Sequence, residues 1–407
     1  MMPLSLPGRS STLDGIVGDA LLASESRARA AFERIGASGA WPEVIAKAHK
    51  WGIIPFMYSR TEALGEALPE AEAFPLRRAA IEAFGKTSFR VARGIDALRA
   101  LERQGIRAAA FKGLASLALI YDSPRQRSVG DADLMIAETD LASSLSCLAA
   151  AGFKRRSEEP FEKYIHFVEN APGFAGYRAV TLYGPGDSEI DLHWDLGSSG
   201  MPVTDLLNRS VPALLGGVPL RVVHPVDAFL LSAHHSVRDN FAAESSMRDL
   251  SDLQRFCGLI CESGWAGELA QRAHRASLTV PVLAVTNVLE GYDPGYAVCR
   301  VASRLRKSAT AGENRAAARL TRAFHYQLEN GSLNRDLLYL VHPRPFRQIV
   351  AGLRRDWRGY RRSQHGVEDQ LGRSHSLGRR AMELVKSCGK PRELRVARDL
   401  ARAKFGS

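Results

Sequence analysis

Two aspartates separated by one residue stand out in the run Gly130-Asp131-Ala132-Asp133-Leu134. In a β-strand, alternate side chains share a face, so Asp131 and Asp133 point the same way with Cα atoms roughly 6.5–7 Å apart. Two carboxylates on one face repel unless a cation sits between them. A divalent ion does this, and Mg²⁺ favours carboxylate oxygens together with water and substrate phosphates. A second run, Ser188-Glu189-Ile190-Asp191-Leu192-His193-Trp194-Asp195, alternates strictly. Ile190, Leu192 and Trp194 face one way; Glu189, Asp191, His193 and Asp195 face the other. A wholly exposed strand face would give the same alternation. Placed beside the first strand, however, Asp191 completes a three-carboxylate site. Such a site holds two Mg²⁺ ions, one activating an attacking oxygen and one gripping a triphosphate.

Upstream, Lys112-Gly113 follows a short apolar run and opens a helix. A glycine there lets a phosphate approach the helix N-terminus, and the lysine adds positive charge. Arg127 lies in the loop before Asp131, where a guanidinium can clamp phosphate oxygens.

The elements that must carry these residues are legible. Residues 12–104 show apolar residues at three- and four-residue spacing, which predicts helices, and Gly105 reads as a C-cap. IRAAAF (106–111) and GDADLMIA (130–137) read as strands, GLASLALIY (113–121) and 138–152 as helices. AVTLY and SEIDLHW flank Gly184-Pro185-Gly186-Asp187, a hairpin signal. Residues 106–196 thus form a small α/β unit of about four to five strands, with a helical period returning over 202–340. The expected division is an N-terminal helical region (1–104), an α/β core (105–200), a helical domain (201–340) and a basic helical tail (341–407).

At this point the run FKGLASLALIYDSPRQRSVGDADLMIAETDLASSLSCLAAAGF resembles the uncharacterised nucleotidyltransferase family with the pattern KG…Y…R…GDxDL. That family belongs to the DNA polymerase β-like nucleotidyltransferase superfamily. IDLHW (190–194) is similar to its hDLHW segment. The resemblance covers about residues 105–255, and the helical flanks more loosely. It implies an α+β fold with a small mixed palm-like sheet, Mg²⁺-dependent transfer of a nucleotidyl group from an NTP, and pyrophosphate release. Asp131 and Asp133 match the paired metal-binding aspartates, and Asp191 matches the third carboxylate, a base or metal ligand. Lys112, Gly113, Arg127 and Gly130 match positions near the nucleotide phosphates. His193 matches the histidine after the third aspartate, as a partner to the ligands rather than a ligand. Asp252 falls where the family has an aspartate supporting the site from behind. The superfamily's usual helix-start motif is Gly-Ser at a shorter spacing; here Lys-Gly stands in its place.

Other chemistries find less support. His234-His235, with Asp239 nearby, suggest a phosphohydrolase metal site, but further spaced His/Asp ligands are absent from the sequence, so a buried or helix-facing pair is expected. Arg248 and Asp252 are four apart on a helix and are expected to pair. There is no GxxxxGK[ST] and no GxSxG, and GPG (184–186) is a turn rather than a dinucleotide loop. Two alternatives to a nucleotidyltransferase stay open: an inactive nucleic-acid or partner-binding module of the same fold, and a phosphotransferase moving the γ-phosphate.

Composition bounds the rest. The chain has 407 residues, 45 % hydrophobic and 24 % charged, which excludes disordered, collagenous and disulfide-scaffold classes. The net charge is +11. Residues 341–407 carry 17 Lys/Arg against 6 Asp/Glu, leaving 38 of each sign elsewhere, so the basic character belongs to the tail. That tail is either a polyanion contact or a set of solvated helix faces. No run of 18 apolar residues appears, so no membrane span is expected. Arg9, Asp14 and Asp19 interrupt the first apolar stretch, a poor signal peptide. Five cysteines (Cys147, Cys257, Cys261, Cys299, Cys388) without a CxxC suit buried thiols in a reducing cytoplasm. The expected partners are an NTP and an acceptor that the sequence leaves unspecified.

Overall fold

The computed structural model describes residues 12–65, 70–155, 178–238, 241, 243–330 and 396–397. Five helices come first: α1 (Leu13–Leu22), α2 (Glu25–Ala37), α3 (Trp41–Lys50), α4 (Ile54–Leu64) and the long α5 (Glu70–Arg103). Thr12 caps α1 by accepting from the Gly15 N–H at 3.3 Å. Gly105 ends the run at φ +71°, the left-handed conformation a glycine C-cap requires.

The expected α/β segment follows as β1 (Ala108–Ala110), α6 (Lys112–Ile120), β2 (Ala132–Ile136), α7 (Leu141–Ala150), β3 (Arg178–Gly184) and β4 (Ser188–Asp195). β3 and β4 form the hairpin the Gly-Pro-Gly-Asp signal predicts, with Gly186 at φ +66°. After α8 (Val203–Arg209), residues read from sequence as helical instead form a second hairpin, β5 (Val211–Leu215) and β6 (Val218–Val222). Gly216 and Gly217, both at positive φ, make its turn. β6 docks beside β1, with Val222 opposite Ala110. The sheet therefore has six strands in the order β3-β4-β2-β1-β6-β5 and extends past residue 200. β2–β4 and β1–β6 are parallel pairs; the others are antiparallel. With 14 α-helices among the described residues, this is the expected α+β class with a mixed sheet.

One face of the sheet is apolar. Ala132, Leu134, Ile190, Leu192 and Trp194 are all buried, and α5 packs across the strands. Gly94 makes the approach possible: a Cβ there would stand 2.9 Å from the Cβ of Ala132. The remaining helices are α9 (Pro225–Arg238), α10 (Ala243–Glu262), α11 (Ala266–Arg275), α12 (Thr279–Tyr292), α13 (Tyr296–Ser308) and α14 (Ala311–Asn330). They share one core with the N-terminal helices. Thr12 Oγ1 donates to Leu328 O at 3.2 Å, and Gln254 Nε2 donates to Leu22 O at 2.9 Å. Asp227, fully buried at the start of α9, accepts from Arg209 at 2.9 Å and Arg272 at 2.6 Å, tying α8, α9 and α11.

Cys257 is buried, as expected for core packing, and Cys261 is half-buried. No described helix is long and apolar enough to cross a membrane. The basic tail lies outside the described residues except for Val396 and Ala397, which are helical and packed against the core.

Candidate active site

The site is set by strand register. β2 and β4 run parallel with Asp133 opposite Asp191 and Met135 opposite His193, so the two carboxylates stand side by side on the sheet face away from α5. On the other side of β4, Thr181 of β3 lies opposite Asp191 and donates Oγ1–H to its Oδ1 at 2.6 Å. One ligand atom each from Asp133, Asp191 and His193 lies within 4.8 Å of the other two. This face is not a solvated one. Asp133 is 2 % exposed and His193 3 %, while Asp191 is half-buried.

Lys112 reaches the same point. It adopts φ +48°, a conformation uncommon outside glycine, just after the fully buried Phe111. The Phe111 N–H donates to Asp133 O at 3.1 Å, and Lys112 Nζ donates to Asp133 Oδ1 at 2.5 Å. His193 Nε2 stands 3.0 Å from the same oxygen, its ring edge-on to Phe111. Burial works to raise the Asp133 carboxyl, but Lys112 and the His193 hydrogen bond hold it well below the usual carboxylate range. Burial lowers the His193 pKa, so its neutral ring donates Nε2–H to Asp133. Asp131 behaves oppositely. The Asp133 charge, reinforced by burial, raises its pKa to about 6.

Two carboxylates and an imidazole within reach of one another fit a divalent cation. Lys112 on Asp133 and the raised Asp131 both indicate that the cluster favours positive charge. His193, expected only as a partner to the ligands, is one of the three convergent donors, while Asp131 stands beside that group rather than in it.

Lys112, Gly113, Arg127, Gly130, Asp131 and Asp133 line one cleft. The far wall comes from helices: Ser232 and His235 of α9, and Arg248, Asp249 and Asp252 of α10. The expected Arg248–Asp252 pair does not form. Asp252 instead accepts from Arg127, with Nε at 2.9 and 3.0 Å and Nη2 at 2.8 Å, and from Tyr121 Oη at 2.7 Å. Burial favours this partner, since Arg127 and Asp252 are both almost fully enclosed and a bidentate fork satisfies both carboxylate oxygens. Burial would lower the Arg127 pKa; the Asp252 charge more than offsets it. Gly113 leaves room for this guanidinium, because a Cβ there would stand 2.8 Å from Arg127 Nη1.

His235, half of the histidine pair, binds Asp249 Oδ2 through Nδ1 at 2.9 Å. The contact holds Asp249 below its ordinary pKa against the effect of burial. Of this far wall, only Asp252 was flagged by the family resemblance; no local pattern in α9 or α10 places the two helices over the sheet. Asp239 lies outside the described residues.

The profile of a family described as "Uncharacterised nucleotidyltransferase" matches residues 37–291. The chain belongs to this family. No curated protein and no solved structure matches it. The nucleotidyltransferase match runs from the end of α2 to the end of α12, well beyond the span carrying the sequence motifs. It takes in the paired strands with Asp133 and Asp191, and both walls of the cleft: the segment with Asp131 and Asp133, and the helices with His235, Arg248 and Asp252.

Proposed function

We propose that this protein transfers a nucleoside monophosphate from an NTP to an acceptor nucleophile in a Mg²⁺-dependent reaction, releasing pyrophosphate. The observation that carries the reading is the in-register pair Asp133–Asp191, with His193 close enough to share a cation and Asp131 alongside. Asp131, Asp133 and Asp191 are the residues that would hold the ions. Mg²⁺ bound there supplies positive charge against the triphosphate and acidifies the acceptor. Asp191, steadied by Thr181, is the group positioned to draw the proton from an acceptor hydroxyl. Lys112 adds a fixed positive charge beside Asp133. His193 keeps Asp133 ionised and oriented. In the step proposed, the acceptor oxygen bonds to the α-phosphorus, the bond to the bridging α–β oxygen breaks, and pyrophosphate leaves with that electron pair. The NTP and the acceptor, a small molecule, peptide, protein or RNA end, are chosen by experiment.

The test is incubation with each NTP, Mg²⁺ and candidate acceptors, followed by phosphate analysis and acceptor mass spectrometry. Pyrophosphate release with a nucleotidyl mass increment, lost in Asp131→Ala and Asp133→Ala, supports the reading. Release of nucleoside diphosphate instead identifies a phosphotransferase. Unchanged pyrophosphate release in both variants refutes the mechanism.

A further inference from the structure

The motif arginine, Arg127, has little left to offer a nucleotide. It is 3 % exposed; its Nε and Nη2 bind both oxygens of Asp252, and its Nη1 donates to Ser128 O at 2.9 Å. Taking a phosphate would mean breaking a buried bidentate pair and stranding the Asp252 charge, a costly exchange.

A second guanidinium in the same cleft is differently placed. Arg248 lies one helical turn before Asp252 on α10, on the same face of that helix. It lines the cleft together with Lys112, Asp131 and Asp133. It is only half-buried, and no ion pair involves it among the described residues. Its Nε is buried and has no hydrogen-bond partner among the described residues. A buried donor left unsatisfied is destabilising, so a position like this persists where a ligand completes it. The Arg248 charge is also felt across the cleft, where it lowers the pKa of Asp131.

We infer that Arg248 is the residue that grips the β- and γ-phosphates of the nucleotide, with Arg127 reduced to a structural strut behind it. This rests on the nucleotidyl-transfer reading above. An NTP brings about four negative charges to a site already holding three carboxylates, so a planar, permanently charged fork on the opposite wall fits the leaving group. A nucleoside monophosphate lacks those phosphates and gains nothing from Arg248.

The experiment is calorimetric titration of the full chain in Mg²⁺ with the α,β-methylene analogue of each NTP, which cannot be turned over, and with the matching NMPs. The expected result is analogue binding by the native protein that weakens about 10- to 100-fold in Arg248→Gln, the loss of one charged hydrogen-bonding group, with NMP affinity little changed. Arg248→Met keeps the aliphatic stem and gives the same result if Gln perturbs folding. Arg248→Lys, a point charge without the fork, falls between. Analogue binding by the native chain that is equally tight in Arg248→Gln and Arg248→Met overturns the role of Arg248 and leaves nucleotidyl transfer standing. Equal weakening for analogue and NMP overturns the phosphate assignment in favour of a general structural role. If no analogue binds the native protein, the nucleotidyl-transfer reading falls and this inference with it.

Discussion

Lys112 Nζ lies 2.5 Å from Asp133 Oδ1, so the carboxylate in register with Asp191 is already matched to a cation from its own chain. Lys112 depresses the pKa of Asp133 and of its neighbour Asp131 alike. Removing the ammonium in Lys112→Met therefore leaves the Asp131–Asp133 pair holding its proton to higher pH. Divalent-ion affinity of the native protein is expected to fall as pH drops through about 6, where Asp131 protonates and competes. In Lys112→Met that midpoint moves upward. Mn²⁺ binding followed by paramagnetic relaxation across pH 5–8 reads both midpoints, and an unmoved midpoint in the variant shows that Lys112 does not govern these carboxyls.

Asp131 also makes a prediction about stability without metal. Its folded pKa of about 6 is above the ordinary value of 3.8, so the folded chain holds a proton that the unfolded chain has released. Stability contributed by this group is intact below about pH 4 and declines as pH rises to about 6. The loss beyond that is at most about 3 kcal/mol. Asp133, with its pKa depressed, acts in the opposite sense: its contribution is present above the unfolded value and disappears on acidification. Asp131→Asn is thus expected to raise the urea midpoint at pH 8 in chelator and to leave it nearly unchanged at pH 4. Saturating Mg²⁺ should close the gap at pH 8 by stabilising only the native sequence.

The extent to which this site could be read in advance follows from its physics. Strand alternation is local, so Asp191 and His193 on one face followed from period two alone, whereas Asp131 stands just before β2, outside the strand used to place it. The GPGD turn fixed β3 against β4. Pairing β2 with β4 is a long-range choice that alternation does not specify; the family resemblance anticipated it. The β5–β6 hairpin was missed although Gly216-Gly217 is a turn signal, because prolines at 212 and 219 and the surrounding helical segments mask a short edge hairpin. The Arg127–Asp252 pair joins residues 125 positions apart. Helical spacing, which sees only Arg248, has no access to burial, and burial decides which arginine Asp252 takes.

That buried pair is expected to matter more for folding than for chemistry. Asp252→Ala leaves Arg127 charged, enclosed and facing Gly113, with Tyr121 deprived of its acceptor. The expected loss is about 3–5 kcal/mol. Arg127→Lys cannot reproduce the fork and loses part of the same energy. The double change Arg127→Met with Asp252→Leu removes both charges and should be less destabilised than Asp252→Ala alone. Urea unfolding of the four proteins at pH 7 checks the order, and a double variant no more stable than Asp252→Ala would show that the two groups do not act as a pair.

The last prediction concerns how the back of the sheet controls its front. α5 carries Gly94 against Ala132, and one and two turns earlier it carries Arg90 and Thr87. Thr87 Oγ1 accepts from the Val129 N–H at 3.2 Å, and Arg90 Nη1 donates to Val129 O at 2.9 Å, so α5 clamps the residue that leads into Gly130-Asp131. An alanine at 94 would gain about 1 kcal/mol of helix propensity. Its Cβ, however, would meet a strand Cβ at 2.9 Å, which no side-chain rotation relieves. The overpacking term of about 1–3 kcal/mol is expected to win, and relief comes by sliding α5, which drags Val129 with it. Gly94→Ala should therefore lower both stability and Mg²⁺-dependent turnover. Gly94→Ala with Ala132→Gly restores the spacing and should recover both, the helix keeping its gain in propensity against the glycine now in β2. Urea midpoints and turnover of the single and double variants decide it. Recovery of stability without turnover would mean that α5 supports the core but does not set the position of Asp131.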